Sequence, residues 1–157
     1  MEAISPESAP NWLADTNIWL RLSEPAHPMF APAFQAVGTI LGRSEEIVLV
    51  PQVITEYWRV VTASASQRGG FGWEPAQADA EVRQLEAQFP MRQDTPDIYD
   101  HWREIVRAEG VTGASVYDAR LVAAMLVHGL PRILTFNVKD FRRYERLGIL
   151  PVHPSDL

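Results

Sequence analysis

A chain of 157 residues has the length of one domain. Hydrophobic residues at 46% and charged residues at 22% supply a real core and a solvated surface, which excludes the disordered and fibrous classes. With no cysteine and a net charge of −6, the chain holds no disulfide framework, thiolate metal centre or cysteine nucleophile, and bulk charge does not draw it to polyanions. A nucleic-acid ligand would therefore need a local basic strip or bound cations.

Residues 1–10 contain Glu2, Glu7 and two prolines, with neither a basic start nor an apolar run, and are expected to form a flexible N-terminal extension. The longest apolar stretch, around Leu121–Val127, is far too short to span a bilayer. The expectation is a cytoplasmic protein without membrane association, folded as a single domain over 1–157.

Taken in order, Trp12-Leu13-Ala14 is a short apolar run closed by Asp15-Thr16-Asn17, and Ile18 begins a helix. A second helix is expected over Pro32–Gly42. Ile47–Val50 reads as a buried strand closed by Pro51, which suits the first turn of a helix running from Gln52 to about Ser66. The glycine-rich stretch 67–72 is a loop. Helices are expected over Pro75–Gln88 and from Thr95 to about Glu109, with a short strand at Phe89–Arg92 between them. Ser115–His128 is the most apolar helix, ended by Gly129, and Ile133–Phe136 is a strand. A short helix over Asn137–Tyr144 and a last strand at Ile149–Val152 follow. Short apolar strands alternating with helices define an α/β domain with a parallel sheet. Ligands of such sheets sit beyond the carboxyl ends of the strands.

Acids fall at that rim. Asp15 and Asn17 follow the first strand, and Asn137 and Asp140 follow Ile133–Phe136. Glu56 lies in the second turn of the helix after Ile47–Val50, and Asp118 lies early in the helix leading to Ile133. On a helical wheel, Val122 and Met125 fall within about 40° of Asp118, so this carboxylate borders the apolar face. Each acid alone has a structural reading: Asp15 and Asp118 as helix caps, Glu56 as a partner for Arg59, Asp140 as a surface charge. Together at one rim they repel unless a cation joins them. Oxygen donors without cysteine or paired histidine point to Mg²⁺ or Mn²⁺ rather than zinc.

Four segments carry a resemblance. Leu13-Ala14-Asp15-Thr16-Asn17, Pro51-Gln52-Val53-Ile54-Thr55-Glu56-Tyr57-Trp58, Tyr117-Asp118-Ala119-Arg120-Leu121-Val122-Ala123-Ala124 and Thr135-Phe136-Asn137-Val138-Lys139-Asp140-Phe141 together resemble the PIN-domain ribonucleases, and among these the VapC-like toxins of bacterial toxin–antitoxin pairs. The resemblance extends from about Asn11 to Val152. It implies a three-layer α/β/α sandwich around a parallel sheet, with an acidic pocket for Mg²⁺ or Mn²⁺. By position, Asp15, Glu56 and Asp118 would be the pocket's acids. Many relatives carry a fourth acid two residues after the threonine matched by Thr135, where this chain has Asn137; either Asn137 as a neutral ligand or Asp140 would complete the site. Asn17 and Thr135 become supporting residues.

The implied activity is endoribonuclease cleavage of RNA phosphodiesters, as the toxin of a pair with an antitoxin protein and as a homodimer. Among the basic residues, Lys139, Arg142 and Arg143 form the best local patch for RNA phosphates. A phosphatase using two aspartates two places apart is disfavoured by Asn17. A non-catalytic PIN-type module binding RNA or protein is the alternative that Asn137 keeps open.

Overall fold

Trp12-Leu13-Ala14 and Ile133-Leu134 present no polar side chain to either face, and both become interior strands. In the computed structural model of the chain, which describes Ala3 and residues 11–157, four parallel strands form one sheet. They are β1 (Asn11–Ala14), β2 (Glu46–Val48), β3 (Arg132–Leu134) and β4 (Leu150–Val152), in the order β2-β1-β3-β4. Trp12 pairs with Ile47 on one side and Arg132 on the other, and Ile133 pairs with Pro151. Two bonds carry the ladder past the strand ends: Asp15 N–H to the Leu134 carbonyl at 2.9 Å, and Thr135 N–H to the Val152 carbonyl at 3.0 Å. The extension expected over 1–10 lies, Ala3 apart, outside the described residues.

Helices cover both faces of the sheet in a three-layer α/β/α arrangement. Between β1 and β2 come α1 (Thr16–Leu22) and α2 (Phe30–Gly42). Between β2 and β3 come α3 (Pro51–Thr62), α4 (Pro75–Gln88), α5 (Pro96–Ala108) and α6 (Ser115–His128), and α7 (Val138–Phe141) follows β3. Proline opens α3, α4 and α5, where its missing N–H is no loss. Gly129 closes α6 in the left-handed conformation, at φ 65°. Trp19 is fully buried, its ring edge-on to Phe89 at 4.8 Å and its indole N–H bonded to the Ala14 carbonyl at 3.2 Å. Tryptophan needs such a partner when buried.

The chain leaves β1 toward β2 and leaves β3 toward β4, in opposite directions along the sheet. The crevice beyond the adjoining ends of β1 and β3 is thus the topological switch point, where an open parallel sheet binds ligands.

The strands expected over Ile47–Val50 and Ile133–Phe136 end two residues earlier, at Val48 and Leu134, and three segments depart further from the sequence reading. The helix after Pro51 stops at Thr62 rather than near Ser66, because the loop returns to occupy its last carbonyls. Phe71 N–H bonds to Val60, Trp73 to Val61 and Gly72 to Ala63. Phe89–Arg92 forms a single bridge, Leu49 with Met91, rather than a strand, since Pro90 has no N–H to give a ladder. The helix expected over Asn137–Tyr144 begins at Val138 and tightens after Phe141 into the 3₁₀ turn Arg142–Leu147.

Candidate active site

Asp15 is the first residue beyond β1 and the N-cap of α1. Its backbone is extended, and its Oδ1 accepts the Thr16 N–H at 2.8 Å. The capping role is real, but it engages one carboxylate oxygen. The other, Oδ2, accepts from the Thr135 hydroxyl at 2.8 Å and from the Asn17 amide at 3.4 Å. Thr135 is fully buried beyond β3, and its hydroxyl also accepts the Asn137 N–H at 3.0 Å. Asn17 Oδ1 accepts the Phe136 N–H at 3.3 Å. One hydrogen-bond web thus fastens the ends of the two central strands together and aims Asp15 into the crevice.

Glu56 is supplied by α3. Its Oε2 accepts from the Thr16 hydroxyl at 2.8 Å and its Oε1 from the Gln52 amide at 2.9 Å, one helical turn earlier. Gln52 is buried; its nitrogen donates also to the Tyr117 carbonyl at 2.8 Å, while its oxygen accepts from Arg120 at 3.2 Å. With two acceptors facing the nitrogen and a donor facing the oxygen, the amide has one consistent orientation. Asp118 lies inside the first turn of α6, not at its cap. Among the described residues, nothing donates a hydrogen bond to its carboxylate or forms an ion pair with it.

These residues meet in a cleft of about 830 Å³, lined by Asp15, Asn17, Glu56, Asp118 and Asn137 among others. Burial pushes the Asp15 carboxyl from its usual 3.8 up to about 6, and the charges of Asp118 and Glu56 add to that; the bonds from Thr135 and Thr16 oppose it. Asp118 also rises to about 6, first by burial and then by the charges of Asp140 and Glu56. Two raised acids sharing a pocket mark a place where positive charge is wanted.

The donor set suits a hard divalent cation: it consists of oxygens, and among the described residues none of Asp15, Glu56 and Asp118 is neutralised by an arginine or lysine pair. Enclosure is incomplete, for no three Asp, Glu or His side chains among the described residues close on a common point. Mg²⁺ usually takes one or two carboxylates and keeps several waters, so an open arrangement of acids is compatible with it.

Not every residue picked from the sequence reaches the cleft. Asp140 is exposed and does not line it, acting on Asp118 through charge. Lys139, Arg142 and Arg143 are exposed and also outside the lining, and Arg143 donates to the Glu109 carbonyl at 2.6 Å. The arginines in the cleft wall are Arg59 and Arg120. Gln52, Thr16 and Tyr117 are additions to the site. The four-residue spacing of Gln52 and Glu56 was the available signal for the first; nothing local marked the other two.

The profile of the PIN domain family matches residues 13–147, and the chain belongs to that family. A search of curated proteins by sequence found no significant match. Among solved structures, the fold is similar to a chain of VapBC2 from Rickettsia felis, bound to a DNA fragment from its promoter, at 13% identity and a TM-score of 0.64 over 91% of this chain and 98% of that one. It is similar to VapC20 of Mycobacterium tuberculosis, a sarcin–ricin-loop-cleaving toxin, at 19% identity and 0.60 over 90% and 98%. A toxin–antitoxin complex from Klebsiella pneumoniae gives 20% and 0.59 over 92% and 98%. At such identities the likeness establishes the shared fold. Among the described residues no helix is long and apolar enough to cross a membrane.

Proposed function

We propose that this chain, acting as one domain, is a divalent-metal-dependent endoribonuclease and the toxin of a toxin–antitoxin pair. The observation that carries the reading is the gathering of Asp15, Glu56 and Asp118 in one cleft at the switch point, with Asp15 and Asp118 both held near 6. The VapC and toxin–antitoxin structures that share the fold support the toxin assignment and a protein antitoxin. A cytoplasmic site of action belongs to the same reading. A homodimer completes the reading.

Asp15 and Asp118 would hold Mg²⁺ or Mn²⁺, with Glu56 and Asn137 at the edge of the set and Asp140 contributing charge from outside. A bound ion of this kind supplies a Lewis acid for phosphoryl oxygens and lowers the pKa of water. The chain's own contribution is orientation. Thr135 and Asn17 fix the Asp15 carboxylate, and Thr16 and Gln52 fix Glu56. Glu56, which lines the cleft, would accept a proton from the attacking water. Arg59 and Arg120 would bind RNA phosphates where they approach the acids, with Lys139, Arg142 and Arg143 as outlying contacts.

A second reading, a PIN-type module that binds RNA or protein without cutting, is favoured by the neutral Asn137 and by the lack of a closed acidic cage among the described residues. Incubating purified protein with total RNA and Mn²⁺ decides between them. Cleavage by the wild type that Asp15→Ala abolishes supports the nuclease; RNA retention without cleavage under every divalent ion supports the module.

A further inference from the structure

Tyr117 and Arg120 stand three residues apart on α6, hence on one face of that helix, and both line the cleft beside Asp118. Tyr117 is 61% exposed, although tyrosine rings commonly bury their faces. Its backbone is nonetheless anchored, because the Gln52 amide holds its carbonyl at 2.8 Å. The same Gln52 accepts from Arg120 Nη1 at 3.2 Å, while Arg120 Nη2 meets Asp94 Oδ2 at 3.2 Å. Two of the five guanidinium N–H donors are thereby engaged, and the remaining three are unassigned. A buried amide thus presents an open aromatic ring and a fixed cation side by side at the mouth of the acidic cleft.

An aromatic face next to a guanidinium matches a nucleotide: the base stacks on the ring while the fork of the arginine takes the adjoining phosphate. A paired base, already stacked on both sides, is not available to such a ring. We infer that Tyr117 and Arg120 form a nucleotide subsite that stacks one unpaired base beside the cleavage position, making Tyr117 a specificity-determining residue. The inference rests on the ribonuclease reading only for the choice of RNA as the polymer. Arg59 adds a second guanidinium to the same wall, so that two arginine forks are available to the phosphates on either side of a stacked base.

The test measures binding rather than turnover. A fluorescein-labelled, unpaired oligoribonucleotide is titrated by anisotropy in Ca²⁺ buffer, with gels showing the RNA intact, against wild type, Tyr117→Phe, Tyr117→Leu and Tyr117→Ala. Loss of one stacked base weakens binding roughly 5- to 150-fold. That loss is expected for Leu and Ala but not for Phe, and pairing the oligonucleotide with its complement should reproduce it in the wild type. An abasic scan should locate one position at which wild type falls to the level of Tyr117→Ala. Equal affinities across the series, or equal binding of paired and unpaired RNA, overturns the subsite and leaves the exposed ring to a protein partner. Binding with these signatures but no cleavage in Mn²⁺ retains the subsite and removes the nuclease; cleavage insensitive to Tyr117 does the reverse. Failure of wild type to bind any oligoribonucleotide rejects the subsite, and the nuclease stands or falls separately on cleavage in Mn²⁺.

Discussion

The Thr135 hydroxyl donates to the Asp15 carboxylate at 2.8 Å, across 120 residues of chain, and in doing so ties the end of β3 to the end of β1. Both residues are buried. The bond opposes the burial that would otherwise hold Asp15 protonated, so Thr135 helps keep a carboxylate at the head of the crevice.

Thr135→Val keeps the shape of the side chain and removes this donor. Asp15 should then titrate higher, and a divalent ion should bind about 10- to 100-fold more weakly, the usual cost of losing a hydrogen bond behind a metal ligand. Mn²⁺ affinity measured by electron paramagnetic resonance of the free ion checks this. An unchanged affinity would mean that Asp15 does not contact the ion.

Asp118 makes stability depend on pH with a definite sign. Its carboxyl sits near 6 in the folded chain and near 3.8 when unfolded, so the folded state binds the extra proton between these values. The contribution to stability is complete below about 3.8 and is lost as the pH rises through about 6. In metal-free protein, Asp118→Asn should therefore raise the melting temperature at pH 8 and change little at pH 3.5. Allowing for the screening of a partly exposed group, the gain is about 1–2 kcal/mol, or roughly 2–8 °C. Thermal unfolding of both proteins in EDTA across that pH range gives the answer. A destabilised Asp118→Asn at pH 8 would show that the carboxylate has a stabilising partner.

Asn137 lies on the cleft wall as a neutral residue, with its backbone N–H on Thr135. Asn137→Asp adds a hard anionic donor next to the raised acids. Divalent-ion affinity should rise by roughly an order of magnitude, since ligand charge tunes affinity. Metal-free stability at pH 8 should fall from the added repulsion. Isothermal titration with Mn²⁺ and thermal unfolding in EDTA read the two effects, and tighter binding without loss of metal-free stability would place residue 137 apart from the acids.

The sheet was legible because the buried parts of three of its strands, Trp12–Ala14, Ile47-Val48 and Ile133-Leu134, are short apolar runs, the first two followed closely by helix starters, Asp15 and Pro51. The acids were legible because they follow strands or interrupt an apolar helix face, as Asp118 does. What failed to show depends on contacts made at a distance. The end of α3 is set by Phe71, Gly72 and Trp73 folding back onto its carbonyls. A side chain at Gly70 would collide with the Ser64 carbonyl, a constraint that exists only once the loop has closed. Likewise the spacing of Gln52 and Glu56 signals their mutual bond, but not that α6 places Tyr117 and Arg120 against the same amide. Lys139, Arg142 and Arg143 cluster in sequence, but they are exposed around the tight turn after Phe141, outside the cleft wall.

The measurement nearest the centre of this account is a calorimetric titration of Mn²⁺ into the wild type and Asp118→Asn at pH 7.5 and pH 5. Saturable binding by the wild type at pH 7.5, much weakened at pH 5 where protons compete for Asp15 and Asp118, and lost in Asp118→Asn, is the predicted result. Absence of binding at pH 7.5, or equal binding by the two proteins, would contradict it.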